Sequence, residues 1–154
     1  MKAKAIVFAL AVFFVGAVSV KADNPHMGTW KLNEGKSHFA PGAPKNHTVV
    51  YEATGNDVKV TVDGTAGDGS ALHNEWTGKF DGKYYAVTGD PTSDTRSYTK
   101  INSRSMTLRA KKGNTVTLTG RITVSRDGKT RTVTTTGKNA QGKWATNTAV
   151  YDKQ

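Results

Sequence analysis

The chain has 154 residues, a net charge of +10 and no cysteine. That length suits a single domain able to bury a real core, and the missing thiols exclude disulfide staples, a cysteine nucleophile and thiolate metal sites. The basic side chains are scattered among Thr and Gly with no long run, and only Tyr98 stands near an Arg as a stacking platform would, so nucleic acid is not an expected partner.

Residues 1–22 read as a secretory signal. Lys2 and Lys4 start it, Ala5 to Val18 is almost wholly apolar, and Val20 and Ala22 supply the small residues of a cleavage site. The apolar run is shorter than the roughly 20 residues of a membrane-spanning helix, so no span is expected after cleavage. Residues 23–154 are then the mature domain. A secreted chain without disulfides fits a bacterial periplasm or medium.

Asp23 to Met27 reads as a flexible lead, and Gly28 to Leu32 as a first strand. Asn33 to Lys45 holds Gly35, Pro41, Gly42 and Pro44, which rule out a regular element there. Alternating strands follow, broken by Gly-containing turns such as Asp63-Gly64, Asp81-Gly82, Gly113-Asn114 and Asp127-Gly128. They cover His47 to Ala53, Asp57 to Val62, Ser70 to Phe80, Lys83 to Thr88, Thr95 to Ile101, Ser105 to Lys111, Thr115 to Ser125, Thr130 to Thr136 and Lys143 to Lys153. The many Thr side chains suit a pleated surface, and no helical periodicity of useful length occurs.

Ten short strands joined by hairpins predict an all-β, antiparallel up-and-down barrel, with a two-sheet sandwich as the rival arrangement. Closure removes exposed edges that a strand-rich chain would otherwise have to guard. In the eighth strand Val116, Leu118, Ile122 and Val124 share one parity and should face inward. Gly120 among them is the expected place for a bend or bulge. A bulge there flips every later residue, so the direction of Arg121 stays open.

Gly28-Thr29-Trp30-Lys31-Leu32 resembles the first strand of the calycins, the lipocalins and fatty-acid-binding proteins, and Val150-Tyr151-Asp152-Lys153 looks like the last strand of the fatty-acid-binding branch. Small secreted bacterial proteins described as lipocalin-like share the overall rhythm. The resemblance implies a barrel with an internal ligand and Trp30 in the core. It departs from the fatty-acid-binding branch at Asn33 to Lys45, where Pro and Gly replace a helical lid. It departs again at that branch's carboxylate clamp, whose Tyr matches Tyr151. One clamp Arg falls on Ala149; the other falls on Arg121 or, counted from the Asp127-Gly128 turn, on Thr123.

The ligand-binding candidates are Trp76, Tyr84, Tyr98, Arg121 and Tyr151. Large aromatic surfaces line pockets well, but Tyr84 and Tyr85 are adjacent, so only one can point inward. An inward Arg121 would mark an anion site; an outward one is a solvated side chain among Thr. His26, His38, His47 and His73 have no metal-ligand spacing, and no Gly-x-Ser-x-Gly elbow occurs. No catalytic residue, cofactor or metal is therefore expected. The first expectation is a secreted or periplasmic, monomeric, non-catalytic barrel holding a small hydrophobic or amphipathic ligand, entered under the Asn33 to Lys45 loop. The alternative is a filled barrel that touches envelope polymers through a basic face. A hydrolase or isomerase in the same barrel ranks third.

Overall fold

A computed structural model describes residues 24–139 and 142–154; the expected signal segment, residues 1–22, and Asp23 lie outside them. The strands are β1 (Gly28–Leu32), β2 (Lys45–Thr54), β3 (Asp57–Thr65), β4 (Ala71–Gly78), β5 (Tyr85–Thr88), β6 (Thr95–Asn102), β7 (Ser105–Lys112), β8 (Thr115–Val124), β9 (Thr130–Lys138) and β10 (Trp144–Lys153). Each pairs antiparallel with its chain neighbour, and β1 pairs with β10 to close the barrel. The all-β expectation holds and the sandwich does not. Among the described residues the one helical element is a 3-10 turn, Glu34–Lys36.

The seam is set by Trp30 opposite Lys153 and Leu32 opposite Tyr151. Lys153 also places its ammonium 5.2 Å from the Trp30 ring centre. The segment after β1 is strapped to β10. The Ser37 hydroxyl donates to Asn33 O and accepts from Val150 N, His38 bridges to Thr148, and Ala40 N donates to the Asn147 side chain. The Pro/Gly stretch therefore runs up the wall to one end of the barrel, where its backbone donors find partners.

Three local expectations change. First, the lead is not loose where it is described: His26 is buried at 2% exposure, and its carbonyl accepts from the Trp30 indole at 2.9 Å. A large apolar residue under the barrel needs a cover, and the chain leading into β1 supplies it. Second, β4 stops at Gly78 and β5 begins only at Tyr85. The Asp81 carboxylate accepts from Lys83 N and the Tyr85 hydroxyl, and Asp81 bridges to Thr99, so this connection folds back on the barrel instead of extending either strand. Third, Gly120 keeps regular register with Leu108 and Thr135. The shift falls earlier, between Ala110 and Lys111 of β7, where Thr117 is the extra residue of β8. Gly120 is needed for another reason: a Cβ there would lie 2.9 Å from Thr134 O.

Inside, side-chain size grades along the axis. The end covered by His26 is filled by Trp30, Tyr51, Trp76, Tyr98, Met106, Ile122 and Val124, with Phe80 packed against them. Trp76 meets Tyr98 edge-on at 4.8 Å and lies nearly parallel to Phe80 at 6.4 Å. Burying each such ring stabilises the fold by about 3 kcal/mol. Toward the other end the inward positions become small: Ala110, Thr135, Gly137, Ala145 and Ala149. Eight strands already enclose enough width for a small ligand, and diameter grows with strand number. Ten strands walled by small residues leave a space.

Candidate ligand-binding cavity

That space is a cavity of about 910 Å³, within the roughly 300–1,000 Å³ of ordinary ligand pockets. The interior is packed at the His26 end and open at the other. Its walls are Val49, Val62, Leu108, Leu118, Ile122 and Val133. Phe39, Ala40, Gly42, Ala43 and Pro44 form one side of its mouth, as the position of the Pro/Gly loop led us to expect. The turns after β3 and β5 contribute Asp68 and Pro91, and the mouth ends of β8 and β9 contribute Thr115 and Lys138. Trp144 stands at this rim, 57% exposed, with the Lys138 ammonium 5.9 Å from its ring.

The five sequence candidates separate clearly. Tyr98 and Tyr151 line the cavity. Trp76 is 1% exposed within the aromatic base, its indole donating to Arg96 O at 2.9 Å; it supports the floor without reaching the cavity. Tyr84 points outward, with the Lys111 ammonium 4.1 Å from its ring. Tyr85 takes the inward parity and packs edge-on against Trp76 at 5.7 Å. Arg121 is exposed. The register shift at Thr117 precedes it, so the alternation from Leu118 to Val124 runs unbroken and puts Arg121 on the outside.

Two other arginines face inward. Arg96, on β6 near the mouth, is 9% exposed. Its guanidinium donates to Asp90 at 3.2 Å and to the Asn74 side chain at 3.3 Å. Burial works to raise the Asp90 carboxyl, but the Ser93 and Thr92 hydroxyls and Arg96 outweigh it and hold it below the usual range. This buried pair is complete.

Arg131, on β9, is 3% exposed and lies at the cavity floor. Its Nη2 donates to the Tyr51 hydroxyl at 2.6 Å, and its guanidinium carbon sits 4.5 Å from the Tyr51 ring centre and 5.7 Å from that of Tyr151. Among the described residues nothing accepts from its Nε or Nη1. Burial drives the Tyr51 hydroxyl far above its ordinary value and pushes Tyr151 up to about 12, in both cases against the pull of Arg131. Both phenols stay neutral at physiological pH.

The sequence signal for Arg131 is faint. It shares parity with Val133, but Thr occupies both faces of β9. What identifies it is the ladder, which sets Arg131 opposite Tyr151 and Val124.

Among the described residues no group of three or more His, Asp or Glu side chains is placed to hold a metal ion, and no helix is long and apolar enough to cross a membrane. No protein-family model matches the chain, and no curated protein matches it in sequence. A closed ten-stranded antiparallel barrel is compatible with a calycin-like fold.

Proposed function

We propose that this is a secreted or periplasmic binding protein of lipocalin-like character that carries a small, partly apolar molecule in its barrel and performs no catalysis. One observation carries the proposal: a cavity of about 910 Å³, lined by eight Val, Leu and Ile side chains together with aromatic, Ala, Thr and Asn residues, and reached past the Phe39 to Pro44 loop. A surface of that kind is costly to leave wet, and an apolar guest relieves it by about 25 cal/mol per Å² covered.

The test is native mass spectrometry of protein isolated from the periplasm of its own producer, or of a bacterial host that processes it. The expected result is a chain beginning at Asp23 with a small molecule retained. Stripping and re-adding that molecule should raise the melting temperature and change the emission of Trp144 at the rim, a change lost in Trp144→Phe. A processed protein that retains nothing, and whose melting is unmoved by a panel of alcohols, fatty acids and sterols, would overturn the carrier proposal.

A further inference from the structure

We infer that the outer face of β6 to β10 docks an acidic polysaccharide, a chain of sugars bearing carboxylates, laid along the barrel from its His26 end to its mouth. This surface is separate from the cavity and from any cargo held there.

Charge divides the barrel wall. Residues 24–94, which build β1 to β5, hold six Lys and Arg against nine Asp and Glu; residues 95–154, which build β6 to β10, hold thirteen against two. Each strand pairs with its chain neighbour, so this division of the sequence is also a division of the barrel into an acidic side and a basic side. Arg96 and Arg131 turn inward. Other basic groups are exposed along the whole face: Arg104 and Arg126 at the His26 end, Arg109 and Arg121 in the middle, Lys138 and Lys143 at the mouth. Among the described residues, every ion pair except the Arg96–Asp90 bridge takes its cation from the acidic side. The exposed cations of β7 to β10 therefore stand without counter-charges.

The face between these charges is hydroxylated. Arg121 lies in one row across the sheet with Thr107, Thr134 and Thr148. Arg109 lies in the next row with Thr119, Thr136 and Thr146. The two arginines are diagonal neighbours on one face, with backbones about 7–8 Å apart. Like charges held this close repel, and a polyanion laid over them relieves the repulsion and releases its own counterions. A guanidinium fork suits a carboxylate, and the Thr hydroxyls can donate to and accept from sugar hydroxyls. Single-stranded nucleic acid would need aromatic platforms beside the arginines, and a bilayer would need apolar side chains to insert. Among the described residues the exposed large hydrophobics are Ile101 and Trp144, at opposite ends of the face. The face is also convex, so a flat bilayer or a stiff duplex meets it over a narrow strip. A flexible polysaccharide can follow it for the length of β8, roughly 30 Å.

The experiment is calorimetric titration of the mature protein with alginate, a polyuronate, and with dextran, an uncharged polysaccharide. Duplex DNA and vesicles of phosphatidylcholine with phosphatidylglycerol are the competing anions. Wild type should bind alginate and not dextran, with affinity falling by about tenfold or more between roughly 50 and 200 mM salt. Arg109→Gln with Arg121→Gln should weaken alginate by about tenfold or more. Both arginines are exposed, so this variant should keep the wild-type melting temperature. Lys59→Gln with Lys79→Gln removes the same two charges from the acidic side and should change the affinity by less than about threefold. Equal losses in the two variants would show that net charge, not this face, does the binding, and would overturn the proposal. So would a wild type that ignores alginate at low salt, or one that binds DNA or the vesicles as tightly as alginate.

Discussion

Replacing Arg131 by Met should stabilise the ligand-free protein. The structure shows what is lost and gained. The wild-type guanidinium leaves Nε and Nη1 without acceptors among the described residues, and an unsatisfied buried donor costs about 1–3 kcal/mol. Removing both recovers about 2–6 kcal/mol. The charge-assisted bond from Nη2 to the Tyr51 hydroxyl disappears, a loss of about 1.5–3 kcal/mol. Met has a comparable length and no charge, and it packs adaptably against the Tyr51, Trp30 and Tyr151 rings that surround Arg131. At the middle of each range the net is a gain of about 2 kcal/mol, or roughly 6–10 °C in melting temperature for a domain of this size. The measurement is urea and thermal unfolding of delipidated protein, with equal m-values confirming equal unfolding. A variant less stable than wild type by more than about 1 kcal/mol would show that Arg131 is already well satisfied in the empty barrel.

His26, buried under Trp30, has its pKa lowered from 6.5 to about 4, chiefly by burial and further by Arg131, Lys100 and Lys153. The folded value lies below the unfolded one, so its contribution is complete above about pH 6.5 and is lost as pH falls toward 4, where the unfolded chain binds the proton first. The loss is at most about 3 kcal/mol; pH-dependent urea unfolding should show it in wild type and not in His26→Phe. Asp90→Ala leaves Arg96 buried without its carboxylate and should destabilise by about 3–5 kcal/mol in the same unfolding assay; a change under about 1 kcal/mol would mean the pair is solvated. Gly78→Ala would set a methyl group 2.5 Å from Tyr85 Cγ and 2.8 Å from Trp76 Cζ2, and overpacking of this kind should lower stability by about 1–3 kcal/mol. Strand β5 is held to β6 at Tyr85 and Ala86 and to β4 at Val87 and Thr88; its amides should exchange with deuterium before those of β8 and β9, and equal protection would contradict the weak seam.

The amino-acid order alone determined the strands, because alternation broken by Gly turns leaves a chain few other ways to pair its backbone. The mouth was legible too, since Pro41 and Pro44 cannot sit in a ladder. Tertiary structure alone decided which charges face inward. β8 separates its faces cleanly, so its parity could be read, but the extra residue at Thr117 had to be located before Arg121 could be placed outside. β9 carries Thr on both faces, and only pairing with β8 and β10 turned Arg131 inward, opposite Tyr151. Hollowness likewise depends on a comparison that no local pattern contains: the width set by ten strands against the small volumes of Ala110, Gly137, Ala145 and Ala149, which meet only when the sheet closes.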